Sequence, residues 1–140
     1  MENVDARVLR TARDWLASGH RVMLVTVVKT WGSSPRPVGS MMALRADGPC
    51  VGSVSGGCIE DDLVHRYTSA YGASSMPQSS TELLRYGITA DEAHRFGLPC
   101  GGTLELLLEF APALGVMDDL VQRLEARQLV QRSVDCNSGA

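Results

Sequence analysis

Two stretches place a cysteine against a glycine pair, and those residues carry the most chemistry in the chain. The first is Gly52-Ser53-Val54-Ser55-Gly56-Gly57-Cys58-Ile59-Glu60 and the second is Gly97-Leu98-Pro99-Cys100-Gly101-Gly102. In the first, a strand predicted over Cys50–Val54 breaks at Gly56 and Gly57. The chain then enters a helix whose apolar positions are Ile59, Leu63, Tyr67 and Ala70. Glycine lets backbone approach a ligand closely. The first turn of a helix has N–H groups without intrahelical partners, which suits an anion. A cysteine at the same place is favoured as thiolate by the helix dipole. Strand, glycine turn, thiol and helix together suit a small anionic or metal-bearing ligand. In the second stretch Cys100 abuts Gly101 and Gly102 just before a strand. Either stretch alone reads more readily as a tight turn beside a small buried thiol. Their recurrence in one short chain favours a site.

The surrounding residues limit that chemistry. Glu60, Asp61 and Asp62 fill the first turn of the helix that Cys58 opens, where acids suit the dipole as caps but oppose ionisation of the thiol. The sequence leaves that balance open. Arg36 lies in an aperiodic loop, Trp31 to Ser40, between Pro35 and Pro37, which restrict its direction. His20, His65 and His94 are scattered, and His65, seven positions after Cys58, is about two helical turns away, too far for a thiol–imidazole pair. No Cys-x₂₋₄-Cys or His-x₃₋₅-His pair supports structural zinc. No Ser/His/Asp set or paired carboxylate can be assembled, so no catalytic residue is assigned.

These residues need a scaffold, and the periodicities supply one. Val4, Val8, Ala12, Trp15 and Leu16 repeat at helical spacing, with Asn3 or Asp5 as cap and Gly19 as stop. Val22 to Val28 is nearly all apolar and β-branched, which predicts a central strand covered on both faces. Met41–Ala46 reads as a strand turning at Asp47-Gly48 into the strand that leads to Cys58. After a polar loop, Ala73 to Ser80, come a short strand at Thr81–Tyr86 and a capping box at Thr89–Glu92 that opens a short helix. Leu104, Leu106, Leu108 and Phe110 alternate with Thr103, Glu105, Leu107 and Glu109 as in a half-buried strand. Pro112 precedes a helix with Leu114, Met117, Leu120, Val121 and Leu124 on one face, and Leu129–Cys136 looks extended. The expectation is an α/β fold: a single layered domain over residues 1–140, with a mixed β-sheet of five or six strands and three main helices.

Composition narrows the class further. At 140 residues, 44% apolar and 21% charged, the chain can bury a core without disulfides. A net charge of −3 with no basic cluster argues against nucleic acid as partner. No apolar run is long enough to span a membrane, and no apolar signal segment opens the chain. The expectation is a cytoplasmic protein whose four cysteines stay reduced. The oligomeric state is open, a homo-oligomer included.

Taken in order, Thr30-Trp31-Gly32-Ser33-Ser34-Pro35-Arg36-Pro37-Val38-Gly39 and the two Gly-Cys stretches resemble the N-terminal region of the XdhC/CoxI family over residues 22 to 110. Members of that family are accessory proteins of molybdenum hydroxylases. The resemblance implies a protein that binds molybdenum cofactor (molybdopterin) as cargo. It would assist the cofactor's maturation or insertion into an apo-molybdoenzyme of the xanthine dehydrogenase or CO dehydrogenase type, acting beside other cofactor-maturation proteins. It implies a carrier more than an enzyme. Cys58 and Cys100 would be the soft metal ligands. Ser55, Gly56, Gly57, Gly101 and Gly102 would close the backbone on the ligand, and Arg36 would meet its phosphate or pterin edge. Longer members carry a Rossmann-like domain after this region, and this chain stops at Ala140, as a short member or a piece of a longer one would. The competing reading is a small thiol redox or sulfur-transfer enzyme using Cys58 and Cys100, which needs the two Cα atoms roughly 4.4–6.8 Å apart.

Overall fold

The apolar run that begins at Val22 becomes the spine of the structure, because a strand with aliphatic side chains on both faces must be covered on both. In the computed structural model, which describes residues 4–31, 37–54, 58–69, 81–86, 103–110 and 112–126, this run is β1 (Val22–Trp31). It is the middle strand of five. The others are β2 (Met41–Arg45), β3 (Cys50–Gly52), β4 (Thr81–Tyr86) and β5 (Thr103–Phe110), in the order β3-β2-β1-β5-β4. Three helices are described: α1 (Val4–Ala17), α2 (Cys58–Tyr67) and α3 (Leu114–Glu125). The short helix expected after Thr89, the polar loop at Ala73–Ser80 and the extended tail at Leu129–Cys136 lie outside the described residues.

The alternation of β1 divides the core into two layers. Met23, Val25 and Val27 face α2, where they join Ile59, Leu63 and Tyr67 with Leu104, Leu106, Leu108 and Phe110 of β5. Val22 and Leu24 face the other way, against Val8, Leu9 and Ala12 of α1 and Met117, Leu120 and Val121 of α3. Each fully buried aliphatic side chain contributes about 1.5–3 kcal/mol, and all of those on β1 named here are fully buried. The predicted face of α3 is buried at Met117, Leu120 and Val121, while Leu124 is half-buried and Leu114 remains 40% exposed. The alternation of β5 predicts a half-buried strand, yet Leu107 and Glu109 on its second face are buried too. It is an interior strand, paired on one side with β1 and on the other with β4.

The layered α/β domain, five strands and three helices are as expected, but the pairing is more uniform than a mixed sheet. All four strand pairs are antiparallel. The passage β3–α2–β4 does return the chain to its original direction, as a strand–helix–strand unit should. It delivers β4 to the far edge, with three strands between it and β3, so the two never pair.

Local chemistry ends α1 and turns β2 into β3 where expected. Past Ala17, Gly19 takes φ +87°, its N–H bonds the Leu16 carbonyl at 3.1 Å, and the His20 N–H bonds that of Trp15 at 3.0 Å. This is a left-handed glycine closure of a helix. Between β2 and β3 the Gly48 N–H bonds the Arg45 carbonyl at 2.9 Å, with Arg45 locked to Asp47 through Nε at 2.6 Å and Nη2 at 2.8 Å.

Candidate functional site

Antiparallel register brings the flanks of all three sequence motifs to one end of the sheet. β1 runs to that end and finishes at Trp31, which leads into the Arg36 loop. Trp31 is paired with Thr103, the first residue of β5, which directly follows Cys100-Gly101-Gly102. β3 ends there at Gly52, opposite Met42, and leads into Ser55-Gly56-Gly57. β4 ends there at Tyr86, opposite Leu104. The rim is stepped. Met41 opens β2 opposite Thr26, five positions before Trp31 but only four steps along β5, from Leu107 to Thr103, so β1 and β5 stand about 13 Å above β2 and β3 at ~3.3 Å per residue. An irregularity in β1 between Val27 and Lys29 marks the base of the step.

At that base, Gly52 has a role that only glycine can fill. Its φ is +84°, and a side chain there would meet the Met41 carbonyl oxygen and Val8 Cγ2 of α1. The predicted strand to Val54 therefore stops two residues early. The Ser53 N–H bonds the Met41 carbonyl at 3.2 Å, Val54 turns fully into the α2-side core, and the chain heads for the helix.

α2 begins at Cys58, as the sequence predicts, and this first turn lies toward the rim. The direction of the helix follows from its contacts. Asp62 reaches Tyr86 at the rim, while the Tyr67 ring lies 5.6 Å from that of Phe110 near the opposite end. Beyond the helix, the Ser69 N–H bonds the Ala46 carbonyl of the far hairpin at 2.9 Å.

Glu60 and Asp61 of the first turn and Asp62, which opens the second, are all engaged, which sequence could not decide. Glu60 Oε1 accepts the Val54 N–H at 2.9 Å, so one side chain ties the two described ends of the glycine turn together. In a capping box the third-position acid takes the N–H of the cap residue; this one reaches three residues further back. Asp61 lies 3.9 Å from His65, one helical turn on. Asp62 Oδ2 accepts from the Tyr86 hydroxyl at 2.6 Å and from Arg66 Nε at 2.9 Å, and the Arg66 guanidinium stands 5.7 Å over the Tyr86 ring. Burial first, then the bond to Asp62, pushes the Tyr86 phenol far above its usual range. Tyr86 was not legible in the sequence, because only strand β4 folding back beside α2 puts it next to Asp62, whereas Arg66 sits one helical turn from Asp62 and its i,i+4 spacing was a signal that could have found it.

Cys50, at the start of β3, is a free thiol at the surface. Partial burial and, secondarily, the charge of Glu60 push it up, away from thiolate. Among the described residues no group of three or more His, Cys, Asp or Glu side chains could hold a metal ion. Arg36, Ser55, Gly56, Gly57, Cys100, Gly101 and Gly102 lie outside the described residues, and of Cys58 only the backbone is described. No described helix is long and apolar enough to cross a membrane.

An antiparallel sheet sandwiched by helices, with a glycine-cysteine stretch of sequence leading into α2 and two further motif flanks at the same rim, defines a class that known proteins share. Residues 15–87, just over half of the chain, match the XdhC and CoxI family, and the chain belongs to that family. The matched segment holds the Arg36 and Cys58 motifs, and the Cys100 motif lies beyond it. The chain is 38% identical over 121 residues to the molybdenum cofactor insertion chaperone PaoD of Escherichia coli (strain K12), covering 83% of this chain and 36% of that protein. It is 30% identical over 86 residues to a probable xanthine dehydrogenase subunit from Bacillus subtilis (strain 168), covering 61% and 24%. Its fold is that of part of a xanthine dehydrogenase crystal structure from Bacillus halodurans, with TM-score 0.64 and 24% identity over 89% of this chain and 36% of that one. The chain thus spans between a quarter and just over a third of the length of these relatives.

Proposed function

We propose that this chain binds molybdenum cofactor as cargo and assists its maturation or its insertion into an apo-molybdoenzyme of the xanthine dehydrogenase or CO dehydrogenase type. The observation that carries the reading is the likeness to the Escherichia coli insertion chaperone over most of the chain. The gathering of the three motif flanks at one rim supports a single site. In this reading Cys58 and Cys100 supply soft donors that bind the metal and exchange. Ser55, Gly56, Gly57, Gly101 and Gly102 let backbone N–H groups close on the ligand, and Arg36 takes its phosphate or pterin edge. The protein then works as a carrier in the cytoplasm, between the proteins that finish the cofactor and the enzyme that receives it.

The test is purification from cells that make the cofactor, followed by assay of released pterin and activation of an apo-molybdenum hydroxylase. Cys58→Ser keeps the shape and replaces a thiolate by a poorer donor. It should melt like the wild type, retain less pterin and fail to activate the apo-enzyme, with Cys100→Ser failing in the same direction. Two cysteine variants that load and activate like wild type would overturn the reading. Unaided turnover of a thiol–disulfide substrate by the wild type would replace it with the redox enzyme.

A further inference from the structure

Positions 58, 62 and 66 fall on one stripe of α2, so the residue that opens the helix after the glycine turn shares a face with Asp62 and Arg66. Two kinds of contact hold this half of the helix. Ile59 and Leu63 pack into the sheet, and such contact is non-directional and tolerates rotation or sliding. The cluster of Asp62, Arg66 and Tyr86 is directional. Its phenol–carboxylate bond is 2.6 Å and its ion pair 2.9 Å, Tyr86 is only 3% exposed, and the Asp62 side chain is 22% exposed. Hydrogen bonds of this kind weaken steeply as angle and distance depart from ideal. A partly buried charge cluster is a poor way to add stability, since an apolar replacement often does as well, and its attested use is to specify one arrangement over others. The partner strand matters as well. Tyr86 pairs with Leu104, the second residue of β5, so the cluster links the Cys58 end of α2 to the place where the chain arrives from Cys100-Gly101-Gly102.

We infer that Asp62, Arg66 and Tyr86 are positioning residues that hold the Cys58 end of α2 in register with the start of β5, and that, on the cargo reading above, this register governs how long the cofactor is held. None of the three touches the cargo in this account.

Hydrogen exchange on the full chain tests the anchoring without any cofactor, and pterin release from the loaded protein tests its consequence. Tyr86→Phe keeps the ring and loses the hydroxyl. It should speed exchange of the α2 amides about tenfold more than those of β1 and β5, the scale of one lost charge-assisted hydrogen bond, and should speed pterin release by a similar factor. Asp62→Ala, which also loses the Arg66 ion pair, should speed both at least as much, and the double variant should be no faster than Asp62→Ala alone, because the bond that Tyr86→Phe removes is already gone there. Asp62→Asn, whose amide oxygen still accepts from the phenol, should restore part of the protection. The inference is overturned if Tyr86→Phe leaves α2 exchange unchanged or loosens β1 and β5 equally. It is also overturned if the two substitutions add, or if α2 loosens with no change in pterin release. A wild type that never carries pterin, with α2 exchange as expected, would sink the cargo reading and leave the anchoring of α2 standing.

Discussion

Gly52 offers a test in which strain and space can be separated. Gly52 and Gly39 both have positive φ, +84° and +96°, but a side chain at Gly39 would meet nothing within 4 Å. A side chain at Gly52 would meet the backbone oxygen of Met41 and a methyl of Val8. The methyl can swing away, whereas the carbonyl is held in the sheet. Gly39→Ala therefore carries only the left-handed strain of an L-residue, about 1–2 kcal/mol. Gly52→Ala carries that strain plus overpacking of about 1–3 kcal/mol, for a total of ~2–5 kcal/mol. Domains of this kind are stable by ~5–15 kcal/mol, so Gly52→Ala should be folded but visibly weakened. Urea unfolding of the two variants beside wild type, compared by midpoint at unchanged slope, measures the difference. The reasoning is refuted if Gly52→Ala is as stable as Gly39→Ala. A Gly52→Ala chain that fails to fold beside a normal Gly39→Ala falls on the expected side.

Cysteine labelling and alkaline unfolding supply two further checks. Burial and Glu60 keep Cys50 protonated, so in native protein at neutral pH it should react with an alkylating probe several-fold more slowly than Cys58, whose helix start favours thiolate. Glu60→Gln should raise the Cys50 rate, and equal rates at all four cysteines would contradict this account. Tyr86 has its folded pKa raised above the unfolded value near 10. Its contribution is complete below about pH 10 and lost as pH rises further, because the unfolded chain gives up the proton first. Wild-type stability should fall along that alkaline limb and Tyr86→Phe should fall less; identical limbs in urea midpoints would count against the buried phenol–carboxylate bond.

What the sequence made legible was whatever depends on neighbours along the chain. The apolar run at Val22 announced a central strand because its composition allows no exposed face. Gly19 and the Asp47-Gly48 pair stop their elements through local backbone geometry, and Cys58 opens a helix as the glycine break implies. What depends on strand order was not legible. Direction alone suggested parallel pairs, and only the placement of β4 at the opposite edge from β3 excludes one. The same placement brings Tyr86 to Asp62 across 24 positions of chain and so completes the cluster with Arg66, which one helical turn already sets beside Asp62. Glu60 was legible as a residue of the first turn but not as the strap to Val54, because a capping acid ordinarily reaches a nearer amide.

The order of strands also sets a hazard during synthesis. β1 finds β2 almost at once, through a short connection, and β3 follows by a tight hairpin loop. Its other edge waits for β5, which arrives roughly seventy residues later. Until then the largely apolar strand β1 has a row of open amides and carbonyls, the kind of edge on which chains associate with one another. Closing so long a loop is also the slow step that non-local pairing imposes on folding. A nascent chain cut or stalled before Thr103 would therefore be insoluble even with every residue of the XdhC and CoxI family match already made.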